Sequence, residues 1–182
     1  MSTEVIQAAD VADFFIDLCK DSKHPMTNLR LNKMLYFAQG WHLATYGTPL
    51  FSDPIQAWDK GPVIPTIYHA NKKYHSKAIP VLQNPGYLRK FDGSNINTFL
   101  VDVYNQYEFR STQSLVSETH AEDSPWKMVF DGTLNKEIPQ ELIQKHFSEL
   151  PPLKRFDVRE LKHLPIVDAD GKLIRAAVIN GH

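Results

Sequence analysis

The densest apolar pattern in the chain runs through Leu29-Arg-Leu-Asn-Lys-Met-Leu-Tyr-Phe-Ala-Gln-Gly-Trp-His-Leu-Ala-Thr-Tyr46. Leu31, Met34, Leu35, Ala38, Trp41 and Thr45 recur at three- and four-residue steps, the period of one buried helical stripe. Tyr36, Leu43 and Tyr46 carry the apolar surface round the side, so neighbours should cover this helix on several faces. Its bounds are predicted at residues 28–46. Thr27 can cap the start by accepting from a free N–H, and Gly47 can take the left-handed turn at the end.

Further elements are predicted on both sides. A first helix over 4–21 has Val5, Ala8, Ala9, Ala12, Phe15, Ile16 and Cys19 on its inner stripe and ends before Pro25. Thr48–Trp58 is too rich in proline for a helix and reads as extended. Asp59-Lys-Gly-Pro-Val-Ile-Pro65 reads as a helix start, with Pro62 at the first helical position or Pro65 as the true beginning, and the helix continues to about Ser76. Residues 79–94 read as loop with one short strand. A fourth helix spans Asn95–Arg110 with Ile96, Phe99, Leu100, Val103, Tyr104 and Tyr107 on one side. Ser111 caps a short helix to about Thr119, and Ser124 caps another that opens with Pro125. Pro139 opens the last clear helix, which turns Leu142, Ile143, His146 and Phe147 inward.

Beyond Pro151-Pro152, Asp157–Lys162 allows a turn or two of helix, and Ile166–Ile174 reads as a β-hairpin turning at Asp170-Gly171. The expected fold is mainly α: a compact bundle of about six helices around the central helix, with short extended segments and a C-terminal hairpin. Residues 1–150 form the helical domain, and residues 151–182 form an extension packed on that domain or on a partner.

Composition narrows the function. With 20 basic and 21 acidic residues the net charge is −1, which lacks the basic excess of a dedicated nucleic-acid binder. The run Lys72–Lys77 reads as the wet end of a helix. No stretch has the apolar length to cross a bilayer, and the N-terminus lacks the pattern of a secretory signal. A single cysteine, Cys19, excludes an intrachain disulfide and fits a reducing compartment, so a cytoplasmic protein is expected.

Eight histidines invite a metal reading, but His69 and His75, six apart, point from different helix faces. His120, near Glu122 and Asp123, reads as a buried or capping histidine whose ring bonds the backbone. Ser114 or Ser117 with His120 is the one nucleophilic arrangement to weigh, and no Gly-x-Ser-x-Gly or phosphate-binding glycine loop occurs. Asp168-Ala-Asp170-Gly171 lacks the further oxygen ligands of a calcium loop. No catalytic residue, metal site or cofactor is expected. Trp41, Trp58 and Trp126 read as core anchors, with an exposed interface anchor as the alternative for any one of them.

The segments Leu31–Ala44, Ile55–Val63 with Tyr68, Leu115–His120 and Ser124–Trp126, in that order and spacing, resemble the Panacea domain family of SocA-like antitoxins and GepA-like phage-associated proteins. The resemblance covers residues 8–148. It implies a mainly helical antitoxin that neutralises a cognate toxin, the product of an adjacent gene, by direct binding. A branch of the family also delivers its toxin to a protease, and a homodimer is compatible with the resemblance. No catalytic role carries over. The motif positions are Lys33, Tyr36, Trp41, Trp58, Gly61, Pro62, Tyr68, His120, Pro125 and Trp126, most of which read physically as fold determinants. Lys33 and His120 are the exceptions: a charge and an imidazole in apolar segments should pair with Asp59 or Glu118, or face a shared groove. The tail 151–182 is where a partner-specific contact is expected. Two other readings stand beside this one, a small hydrolase or transferase using His120 and a DNA-binding autoregulator.

Overall fold

A computed structural model of the protein describes residues 5–19, 22–80, 88–91, 95–155, 166–167 and 173–174, and at its centre lies helix α2, Asn28–Tyr46. The Thr27 side chain accepts from the Arg30 N–H, and Gly47 closes the helix at φ 71°, as the sequence predicts. From Arg30 to Leu43 every residue of α2 is buried, polar ones included. The last turn behaves differently. Thr45, expected on the inner stripe, is exposed, and Tyr46 is half exposed, because the helix emerges into solvent there.

Helix α1, Ala8–Leu18, is shorter than the apolar pattern suggests. The backbone N–H of Gln7 donates to Asp10 and that of Ala8 to Asp53, which fixes the start of the helix. Val5 therefore precedes the helix and is exposed rather than part of its stripe. Ala8, Ala12, Phe15, Ile16 and Cys19 lie in the core as expected.

The stretch Asp59–Pro65 departs most from its sequence reading. Strands β1, Gln56–Trp58, and β2, Gly61–Val63, pair antiparallel with Trp58 opposite Gly61 and Ala57 opposite Pro62. A third strand, β3, Lys136–Glu137, lies on the other side of β1, giving the order β2-β1-β3. Pro62 thus sits in an edge strand, where its missing N–H costs no ladder bond. Helix α3, Pro65–Asn71, starts at the second proline, and a 3-10 turn follows at Lys72–Tyr74.

The remaining helices follow their local signals. Within 79–94 the described residues include a short helix, α4, Leu88–Phe91, that the sequence reading lacks, while 81–87 and 92–94, where the expected short strand could fall, lie outside the described residues. Helix α5 covers Ile96–Tyr107 and stops three residues before Arg110, where the chain turns. Ser111 and Ser124 cap α6, Thr112–Thr119, and α7, Pro125–Val129, by accepting from Ser114 and Lys127 N–H groups. Helix α8, Gln140–Glu149, follows Pro139.

Helix α8 packs on α2 where Gly40 leaves room: a Cβ there would fall 2.3 Å from the Phe147 ring. Phe147 in turn meets Tyr36 and Trp41 edge-on at 5.6 and 5.2 Å between ring centroids. Further along, β4, Ile166–Val167, and β5, Leu173–Ile174, pair antiparallel as the hairpin pattern predicts. The Asp170-Gly171 turn and the helical turn at Asp157–Lys162 lie outside the described residues. Among the described residues no helix is long and apolar enough to cross a membrane.

Candidate functional site

The polar side chains of α2 grip the β1–β2 hairpin and α3 by their backbones. Asn28 donates to the carbonyl of Tyr68 at 3.0 Å, and Asn32 accepts from the N–H of Ile64 at 2.9 Å. Beside Asn32, Lys33 donates from Nζ to the carbonyl of Pro62 at 2.8 Å. Such bonds satisfy backbone groups that the short hairpin leaves over.

Lys33 is wholly buried, and burial pushes its ammonium down to about 7. The expected pairing with Asp59 or Glu118 does not form among the described residues: Glu118 binds Arg110. A carbonyl dipole compensates an ammonium only in part, so desolvation prevails and the neutral amine becomes accessible. Gly61 makes this arrangement fit. Its φ is 98°, and a Cβ on it would stand 2.6 Å from Thr119 Oγ1 and 2.9 Å from Lys33 Nζ.

His120 ends α6 with its ring turned to backbone. Nδ1 lies 2.7 Å from the carbonyl of Val116 and Nε2 lies 3.3 Å from that of Asp59. The contact with Asp59 is therefore to its main chain, not to the carboxylate the sequence suggested. The imidazole rests on Trp126, ring centroids 3.9 Å apart, and Trp126 stacks on Phe130 at 4.6 Å. From its other edge, Trp126 donates to the carbonyl of Trp58 at 2.7 Å. The Trp58 ring meets Tyr68 edge-on at 4.9 Å, and its Nε1 donates to Gln56. Pro125, buried, opens the helix that presents Trp126.

Eight of the ten motif positions thus gather around one hairpin: Lys33, Trp58, Gly61, Pro62, Tyr68, His120, Pro125 and Trp126. Tyr36 and Trp41 do not join them. They pack against α8, and Trp41 donates from Nε1 to the Tyr107 hydroxyl at 2.9 Å.

Chemically, the hairpin site holds backbone in place. Ser114 accepts from Arg110, and among the described residues neither the Ser114 nor the Ser117 hydroxyl is bonded to the His120 ring. The Lys33 amine is closed off from solvent. No group of three or more His, Cys, Asp or Glu side chains among the described residues could hold a metal ion.

Two side chains escaped the sequence reading. Arg30 is fully buried and donates to the carbonyls of Arg110, Tyr107 and Glu108 at 2.7, 3.0 and 3.2 Å. It closes the C-terminus of α5, whose last carbonyls lack helical partners. Gln39 accepts from the N–H groups of Leu50 and Phe51 and donates to the carbonyl of Phe51. The available signal was their place inside a helix apolar over more than one face, where a polar side chain that is covered must find a partner.

The family described as Antitoxin SocA-like, Panacea domain, matches residues 31–127, a span that contains all ten motif positions. The chain is also similar to Antitoxin SocA of Caulobacter vibrioides (strain NA1000 / CB15N), with 28% identity over 140 residues covering 70% of this chain and 72% of that protein. No solved structure matches.

Proposed function

The chain belongs to the SocA-like Panacea domain family, and from that membership we propose that it is the antitoxin of a toxin–antitoxin pair, neutralising its toxin by direct binding. The observation that carries the reading is the match itself, which spans the whole hairpin junction from Lys33 to Trp126. The site's chemistry agrees with it. Lys33, Asn32 and Trp126 each spend their polar atoms on main-chain carbonyls or N–H groups, and both ring nitrogens of His120 face carbonyls. Residues used in this way hold a shape and leave recognition to the outer surface. The hydrolase reading needs a nucleophile bonded to His120, which neither the Ser114 nor the Ser117 hydroxyl supplies among the described residues, and the autoregulator reading needs a cationic face that a net charge of −1 does not favour.

The test is co-expression with the products of the flanking genes. One of them, induced alone, should arrest growth, and induction of this chain should restore it. The two proteins should then co-purify as a stable complex of defined stoichiometry. Harmless neighbours, or rescue without a complex, would overturn the reading. A shortened toxin half-life in the rescued cells would add delivery to a protease.

A further inference from the structure

The near-neutral net charge conceals a local excess. From Lys60 to Phe91 the sequence has no Asp or Glu, while Lys60, Lys72, Lys73, Lys77, Arg89 and Lys90 fall within it. Lys90 is taken up by Asp10. Lys72, Lys73 and Lys77 are exposed at the end of α3 and in the turn beyond it, and none makes an ion pair among the described residues. Lys73 lies over the Tyr74 ring at 5.1 Å. The turn is tied down. The His75 N–H donates to the carbonyl of Lys72 at 3.1 Å, that of Lys77 to Tyr74 at 2.9 Å and that of Ile79 to Met26 at 3.0 Å. To close it His75 takes φ 52° and ψ −120°, a conformation costly for a residue with a Cβ. Cations carried on a fixed turn lose little backbone freedom when a partner meets them.

These cations adjoin an aromatic surface. Trp41 and Trp126 are buried, whereas Trp58 is partly exposed, which leaves it as the tryptophan able to anchor a partner. Its ring meets His69 edge-on at 6.0 Å as well as Tyr68. Lys72 and Lys73 follow Tyr68 and His69 by four positions, one helical turn further along the same side of α3. The Trp58 Nε1 is spent on Gln56, so its ring offers apolar area, while the Tyr68 hydroxyl makes no hydrogen bond among the described residues. Exposed carboxylates flank Trp58 on the sheet side: Asp59, next in sequence, and Glu137, opposite Gln56. A nucleic acid stacked on these rings would bring its phosphates against them, whereas a protein can set single carboxylates over the lysines and an apolar side chain on the rings. Resting on the antitoxin reading, we propose that Trp58, Tyr68 and the lysines at the end of α3 form the surface that receives the toxin, whose matching face places an apolar side chain on the rings and carboxylates over Lys72 and Lys73.

The test pans random peptides displayed on phage against the full chain and measures the selected peptides by fluorescence polarisation. Enriched sequences should combine Asp or Glu with an aromatic or large aliphatic residue. Their Kd should rise about tenfold or more in Trp58→Leu and in the double variant Lys72→Glu, Lys73→Glu. Both lysines are exposed, so the double variant keeps the fold, which thermal unfolding reports, and it decides the matter should Trp58→Leu prove unstable. Panning against the double variant should select Lys or Arg in place of the acid. Peptides indifferent to the charge reversal would overturn the assignment, and so would an absence of enrichment. Displacement of the peptides by oligothymidylate, through binding that the reversal abolishes, would give the surface to nucleic acid and overturn it too. Where a flanking gene product arrests growth, the double variant should lose rescue, and undiminished rescue at equal protein level would sink the proposal while leaving the antitoxin reading intact. The peptide arm uses no toxin, so its failure is distinct from a neighbouring gene that proves harmless.

Discussion

The Lys33 ammonium donates to the carbonyl of Pro62 across 29 residues of chain, and this bond fastens the central helix to the hairpin. Among the described residues no carboxylate pairs with this buried amine, so the hairpin junction carries a built-in dependence on pH.

Lys33 titrates at about 7 in the folded protein, against 10.5 for an ordinary lysine. Between those values the unfolded chain binds a proton that the folded chain does not. Stability therefore rises with pH through that window and is lost as pH falls toward 7, with a slope of up to about 1.4 kcal/mol per pH unit. Urea midpoints measured from pH 7 to pH 9.5 should show the rise in the wild type and lose most of it in Lys33→Met. The measurement stays below the range where the buried phenols of Tyr104 and Tyr107, pushed up by desolvation, act in the opposite direction; the Cys19 thiol, also pushed up by burial, opposes the rise near the top of the window in both proteins, so the difference between them reports Lys33.

Two glycines with positive φ separate backbone strain from crowding. Gly47, at φ 71°, has open space where a Cβ would go, so Gly47→Ala should cost only the left-handed strain, about 1–2 kcal/mol. Gly61 carries the same kind of strain and the clash with Thr119 and Lys33 as well. Gly61→Ala should exceed the Gly47 cost by roughly 1–3 kcal/mol. Equal losses in chemical denaturation would show that the hairpin does not sit down on Lys33.

Arg30 reaches three carbonyls with one planar guanidinium, a geometry that an ammonium cannot reproduce. Arg30→Lys should lower stability by roughly 2–4 kcal/mol, at about 1.5–3 kcal/mol per lost charge-assisted bond. Denaturation curves decide this, and amide exchange should quicken first at the end of α5.

For His120 the two functional readings diverge. As a cap on backbone, His120→Gln should weaken folding by about 1–2 kcal/mol and leave growth rescue intact. As a general base it could not be replaced without loss of function. Rescue titrated against inducer concentration, with the protein level checked in parallel, distinguishes them.

The helical frame was legible because its signals are local. The Thr27 and Gly47 caps, the Ser111 and Ser124 caps and the stripe of α5 each depend on residues three or four apart, and each stands where the pattern placed it. The order and spacing of the motif residues likewise sufficed to indicate the family. Contacts between distant segments were not legible. Gly61–Val63 carries a glycine and a proline that suit a helix start, and only β1 on one side and Lys33 on the other make it a strand. Arg30 finds its carbonyls 77 to 80 residues away, and Lys33 takes a main-chain oxygen where a carboxylate was expected. Chain chemistry sets how each turn begins and ends, whereas the partner of a buried polar group is whatever packing brings within hydrogen-bond reach.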